Sequence, residues 1–107
     1  MADLEAHIGS LWERRDSLDL ADPDDRQAVH DAVELLDTGE ARVAEVGPDG
    51  DVVVHEWCKQ AVLLLFRFAS METIEVGPFE FADKIPLKRH YERRKVRVVP
   101  GASARWG

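Results

Sequence analysis

"HEWCKQAVLLLFRF", residues 55–68, is the stretch on which the fold turns. Trp57, Ala61, Leu64, Leu65 and Phe68 recur at the three-to-four spacing of one helix face, and Val62, Leu63 and Phe66 fill most of the remaining circumference. The spacing predicts a helix over 56–69. A helix apolar nearly all round is one that other elements surround, so this one is expected at the centre of the core. It cannot be a membrane span: "AVLLLFRFA" falls well short of the roughly 20 apolar residues a bilayer requires and contains Arg67.

Working back from this helix, "ARVAEV" (41–46) and "DVVVHE" (51–56) flank "GPDG" (47–50). Proline presets one torsion of the turn and glycine accepts the left-handed one, so a β-hairpin is predicted. Before it lies a well-marked helix. Asp22 is a suitable N-cap, and Pro23 occupies the first helical position, where its missing N–H costs nothing. Asp24 and Asp25 sit at the positive end of the helix dipole, which explains the acidic cluster by capping rather than by metal binding. Ala28, Ala32, Leu35 and Leu36 form its inner stripe with Val29 and Val33 beside them, and Gly39 follows as a left-handed stop. At the start of the chain, Leu4, Ile8, Leu11 and Trp12 make a further amphipathic stripe over 2–15.

Beyond residue 69, "TIEV" predicts a short strand closed by Gly77-Pro78. Pro86 in "DKIPLK" disfavours helix at Ile85 and predicts an extended, exposed loop. "RHYERRK" (89–95) has the make-up of a short helix, and Val96, Val98 and Val99 that of a final strand. The expected class is therefore α+β, mainly helical, with three main helices. A domain of 107 residues buries roughly 65% of its unfolded surface, which suffices for one modest core.

The formal charge of −7 hides a division. Residues 1–58 carry sixteen acidic and four basic side chains, and residues 59–107 carry five and ten. The acidic half argues against a chain that coats nucleic acid. Cys58 is the one cysteine, so no internal disulfide can form, as expected for a cytoplasmic protein. Arg14-Arg15 runs into "DSLDLADPDD" rather than an apolar stretch, which argues against a twin-arginine export signal.

Catalytic chemistry is not evident. His7, His30, His55 and His90 are scattered, with no zinc-ligand spacing, and Cys58 lies on the core helix as an ordinary buried thiol. No glycine-rich phosphate loop is present. No catalytic, cofactor-binding or metal-binding residue is assigned. The strongest local signal is basic: Lys84, Lys88, Arg89, Arg93, Arg94, Lys95 and Arg97 against Asp83 and Glu92 alone. Three readings fit: a solvated surface complementing the acidic half, an RNA-binding or other non-enzymatic module gripping an acidic partner, or capture of a small polyanion. Within "VRVV", strand alternation sets Arg97 opposite Val96 and Val98. A guanidinium fixed in this way can grip a carboxylate through two parallel N–H···O bonds.

"WERR" (12–15), "AVELLDTGEARVAE" (32–45), "HEWCKQAVLLLFRF" (55–68), "FADKIPLK" (81–88) and "RVVPGASARWG" (97–107), in this order and spacing, resemble the amino-terminal part of 2,3,4,5-tetrahydropyridine-2,6-dicarboxylate N-succinyltransferases. The resemblance covers essentially the whole chain. It implies a domain over residues 1–95 and, over 96–107, the first edge of a left-handed parallel β-helix whose hexapeptide repeats are absent from this chain. It also implies a homotrimeric cytoplasmic enzyme of lysine and diaminopimelate biosynthesis that takes succinyl from succinyl-CoA, with its catalytic carboxylates and coenzyme site outside these 107 residues. The isolated segment is then expected to be inactive, with a small-molecule dicarboxylate as the partner and neither nucleic acid nor membrane. The arginine of the "RVVP" motif contacts the dicarboxylate in this family and matches Arg97. Lys84 and Lys88 match "DKIPLK" without an assigned contact and would equally serve to tie the domain to the β-helix. Gly101, in place of a frequent second proline, and Trp106, in place of a usually polar residue, depart from the pattern.

Overall fold

The structure, a computed structural model, describes residues 1–107. Three helices carry the core: α1 (Ala2–Glu13), α2 (Pro23–Thr38) and α3 (Glu56–Phe68). Each packs on the other two. Ile8 and Leu11 from α1, Ala28, Val29 and Ala32 from α2, and Trp57, Cys58, Ala61, Leu64 and Phe68 from α3 form one buried cluster. α3 is the central element, as its apolar circumference predicts, although Leu63 remains on the surface.

The start of α2 follows its sequence signals. Asp22 Oδ1 accepts from the backbone N–H groups of Asp24 and Asp25 at 2.9 and 3.0 Å, which satisfies two of the donors a helix start leaves unpaired. Gly39 ends the helix at φ 83°, a torsion open to glycine at little cost. Asp25 does more than cap. It is buried, and its carboxylate meets His7 Nε2 at 2.9 Å and Arg14 Nη2 at 3.3 Å, joining α2 to α1.

Two antiparallel hairpins flank the helices. β1 (Ala44–Val46) pairs with β2 (Val52–Val54) around the predicted turn. β3 (Glu72–Val76) pairs with β4 (Phe79–Asp83) in the register Ile74 to Phe81 and Val76 to Phe79. β4 was not expected from the sequence, yet "FEFA" alternates apolar and polar residues as a hairpin strand should. The alternation puts Ile74, Val76, Phe79 and Phe81 on one face, and all four are exposed in this chain.

The segment after β4 departs from expectation in three ways. Ile85 is buried rather than exposed, because Lys84 Nζ donates to the Phe66 carbonyl at the end of α3 at 2.9 Å and draws the segment against the core. Residues 89–95 form one closed turn rather than a helix. Arg94 N–H donates to the His90 carbonyl and Val96 N–H to that of Tyr91, while His90 and Lys95 take left-handed torsions of 66° and 59° that helix propagation cannot tolerate. The predicted final strand at Val96–Val99 is not formed. These residues have no neighbouring strand to complete a ladder. Pairing occurs further on, where Leu87 bridges Arg105: Lys88 N–H donates to the Ala104 carbonyl and Trp106 N–H to that of Pro86, both at 2.8 Å. No helix is long and apolar enough to cross a membrane.

Candidate functional site

The basic segment resolves into engaged and free cations. Lys84 is held by the Phe66 carbonyl. Arg94 grips Asp37 twice: Nη1 donates to its backbone carbonyl at 2.9 Å and Nη2 to Oδ2 at 2.6 Å. Lys88 Nζ lies 3.3 Å from Asp37 Oδ1, and the Gly107 N–H donates to the same oxygen at 3.1 Å. Arg89, Arg93, Lys95 and Arg97 are exposed and take no ion-pair partner within the chain.

Asp37 is the centre of this cluster, and its side chain is only 5% exposed. Burial by itself would raise its pKa. The Arg94 hydrogen bond, the Gly107 N–H and Lys88 outweigh it and hold the carboxyl at about 2. The same contact pushes the Arg94 guanidinium upward, so this pair stays charged across the physiological range. The residue has a sequence signal that went unread: an aspartate in the last turn of a helix opposes the negative end of the dipole, with no basic residue in that turn to offset it. Such a position calls for a cation from elsewhere, and Arg94 supplies it while also satisfying one of the helix-end carbonyls.

Arg97 stands three residues beyond Arg94. With Lys88, Tyr91, Arg94, Val98 and Ser103 it lines an open groove of about 560 Å³. Six of its ten lining residues are apolar and three are cations, and of those three Arg97 is the one without an ion-pair partner in the chain. No strand forms at Arg97 to fix it as expected, and the side-chain tie nearest to it in sequence is that of Arg94 to Asp37. Lys88 lies on the same groove but is committed to Asp37. Trp106 donates from its indole N–H to Glu34 Oε2 at 2.8 Å and packs at 5.0 Å against His30, which fastens residues 104–107 along α2. Arg105 forks onto Asp83 at 2.8 and 3.0 Å. Cys58 is buried, and burial, then Glu5, push its thiol pKa up, the opposite of nucleophile activation. No group of three or more His, Cys, Asp or Glu side chains converges.

These features define a small α+β domain whose helical core carries a pinned, basic carboxy-terminal segment. Comparison with known families specifies it further. The family described as "Tetrahydrodipicolinate N-succinyltransferase N-terminal" matches residues 3–68, and the chain belongs to that family. Among curated proteins, the chain is 46% identical to the 2,3,4,5-tetrahydropyridine-2,6-dicarboxylate N-succinyltransferase of Alkalilimnicola ehrlichii, with 100% of this chain and 42% of that protein covered. It is 42% identical to the protein of the same name from Pseudoalteromonas translucida, covering 100% and 41%. For the one from Pectobacterium atrosepticum the identity is 43%, covering 97% and 40%. The chain thus spans about two-fifths of the length of these relatives.

Proposed function

We propose that the chain serves as the amino-terminal domain of an N-succinyltransferase, and that Arg97 binds a carboxylate of its tetrahydropyridine dicarboxylate substrate. The observation that carries the reading is similarity along the whole of this chain to about two-fifths of proteins bearing that name, joined to an arginine without an ion-pair partner in an open groove. In such a reaction water adds across the ring C=N bond and the ring opens to an amine and a ketone; that amine attacks the thioester carbonyl of succinyl-CoA, an amide C–N bond forms, and the C–S bond breaks. CoA leaves as the thiol, the amine's proton having been transferred, and N-succinyl-2-amino-6-oxopimelate is the other product. A dianionic substrate must be oriented before its amine can attack, and a forked guanidinium orients a carboxylate by direction as well as by charge. Arg97 contributes this step. The transfer itself belongs to the part of the enzyme that the relatives carry beyond the region matched here, where a homotrimeric β-helix would hold succinyl-CoA. The 107-residue chain alone is then inactive. It lies in the pathway to diaminopimelate and lysine, in the cytoplasm.

The test is to join this chain to the remaining three-fifths of the Alkalilimnicola relative and follow CoA thiol release from succinyl-CoA with the dicarboxylate present. The fusion should turn over and the chain alone should not. Arg97→Ala in the fusion should weaken dicarboxylate binding by roughly 10- to 150-fold, as expected for losing one charge-assisted pair. Wild-type affinity in that variant would remove Arg97 from the site.

A further inference from the structure

The segment that carries Arg97 has a single side-chain tie to the core. From Arg89 to Ser103, Arg94 is the one residue whose side chain hydrogen-bonds outside the segment. The backbone bonds in this stretch are internal: Arg94 to His90, Lys95 to Glu92, Val96 to Tyr91, Ala102 to Val99. The turn they close also contains two non-glycine residues, His90 and Lys95, in the left-handed region. Torsions of that kind persist only where surrounding contacts over-determine them. The flanks of the stretch are fastened by the Lys88–Asp37 pair and the backbone bonds between residues 86–88 and 104–106, but within it local hydrogen bonds alone do not orient the turn relative to the helices. Arg94 does so, because its two donors meet both the side chain and the carbonyl of one residue on α2, at 2.6 and 2.9 Å.

We infer that Asp37 is a positioning residue for Arg97: by holding Arg94 it fixes the 90–96 turn and thereby sets where the Arg97 guanidinium stands. The inference rests on the preceding reading only for what Arg97 then binds. Asp37 is buried, does not line the groove and is already held by Arg94, Lys88 and the Gly107 N–H, so it acts through Arg94 rather than on an anion. Its charge also matters. A groove holding Lys88, Arg94 and Arg97 without Asp37 would bring three cations together, with Arg94 and Lys88 free to swing into the anion's place. Asp37 withdraws two of them and leaves Arg97 as the available fork.

The experiment uses the 15N-labelled 107-residue chain, which has its own core, with pyridine-2,6-dicarboxylate as the probe. Backbone order parameters for residues 94–99 and the Arg97 Nε–H signal are recorded for the wild type, Asp37→Asn, Arg94→Gln, Arg97→Ala and the double variant Asp37→Asn/Arg97→Ala. Arg94→Gln leaves Asp37 paired with Lys88, so it serves if Asp37→Asn fails to fold. Order in 94–99 is expected to fall from about 0.85 to below about 0.6 in Asp37→Asn and Arg94→Gln. Dicarboxylate affinity is expected to fall about threefold or more in each, with no further fall when Asp37→Asn is added to Arg97→Ala. Arg94→Lys, which keeps the charge but loses the fork, should recover only part of the order. Unchanged order in 94–99 overturns the inference. So does lost order with intact affinity where Arg97→Ala does weaken binding, or an Asp37→Asn effect that persists in the Arg97→Ala background. Absent binding, or binding that survives Arg97→Ala, overturns the ligand role of Arg97 instead, and the order parameters then decide the positioning by themselves.

Discussion

Arg94 Nη2 lies 2.6 Å from Asp37 Oδ2, across 57 positions of sequence, and this contact joins the two oppositely charged halves of the chain. Asp37 sits on the last turn of α2, and Arg94 belongs to a turn with no regular secondary structure of its own. Exposed ion pairs contribute little to stability. This one differs because the carboxylate is buried, takes two cations and a backbone N–H, and cannot be left alone without cost.

The sign of its pH dependence follows. The Asp37 carboxyl titrates at about 2 in the folded chain against 3.8 when free. A depressed folded value means that the unfolded state takes up the proton first, so the stabilisation is present above about pH 4 and is lost as the pH falls toward 2. The shift corresponds to about 2 kcal/mol at neutral pH. Asp37→Asn should therefore lower stability at pH 7 by about 1–3 kcal/mol and flatten the decline between pH 4 and 2. Urea titrations across that range check it; parallel curves for the two proteins would place the acid sensitivity elsewhere.

Leu64 is fully buried on α3, within the cluster that residues of all three helices form. Leu64→Ala removes the branched Cγ and its two methyl groups from a fully buried site and leaves a cavity. The expected loss is about 2–5 kcal/mol, against less than about 1.5 kcal/mol for Leu64→Met. Chemical denaturation with an unchanged m-value would verify both. A loss below about 1 kcal/mol for the alanine variant would mean that α3 is not the centre of the core.

The ends of α2 offer three further substitutions. Asp22→Ala leaves the N–H groups of Asp24 and Asp25 without their acceptor and should cost about 1 kcal/mol, while Asp22→Ser should be close to neutral. Gly39→Ala places a Cβ at φ 83° and should cost about 1–2 kcal/mol, although no neighbouring atom obstructs it. The two sites lie a whole helix apart, so the double variant should show the sum within about 0.5 kcal/mol. Thermal melts of the wild type, the three single variants and the double variant Asp22→Ala/Gly39→Ala decide.

Whether a feature was legible in the sequence depended on how local its cause is. α2 was readable end to end because Asp22, Pro23 and Gly39 act on their own neighbours, and α3 was readable because its apolar circumference needs no knowledge of partners. The Gly77-Pro78 turn predicts where β3 ends, and the period-2 alternation of "FEFA" is the local signal of its return strand β4. The 89–95 segment forms a turn because His90 and Lys95 take left-handed torsions, which the helix propensity of "RHYERRK" does not foretell. Val96–Val99 has strand composition without a strand partner, and composition cannot supply one. Arg97 stood out as a candidate, but what holds it in place is a pairing 57 positions apart in sequence, which no spacing rule exposes.

Cys58 tests the packing around α3 by reactivity. The thiol is 1% exposed, and burial raises its pKa, with Glu5 adding to the effect. Both the thiolate fraction and access are therefore low, and the native chain should be inert to a disulfide-exchange reagent at pH 8 on the timescale of minutes. In denaturing urea the same thiol should react at once. Fast reaction without denaturant would show that α1 separates from α3 in the native state.

Four exposed cations, Arg89, Arg93, Lys95 and Arg97, lie within nine residues, and they decide whether the basic segment is a nucleic-acid surface. Lys84, Lys88 and Arg94 are already consumed by Phe66 and Asp37, so at most four phosphates could be neutralised there. Four contacts to single-stranded RNA would give a salt slope of about −3 in log–log form. Opposing this is a chain of net charge −7, with Tyr91 as the one aromatic residue in the segment available for base stacking. The expected outcome is no retention of single-stranded RNA even at low salt. Binding that appears with a slope near −3 and disappears in a Arg89→Ala/Arg93→Ala variant would show instead that these cations serve a phosphate backbone rather than flank a dicarboxylate groove.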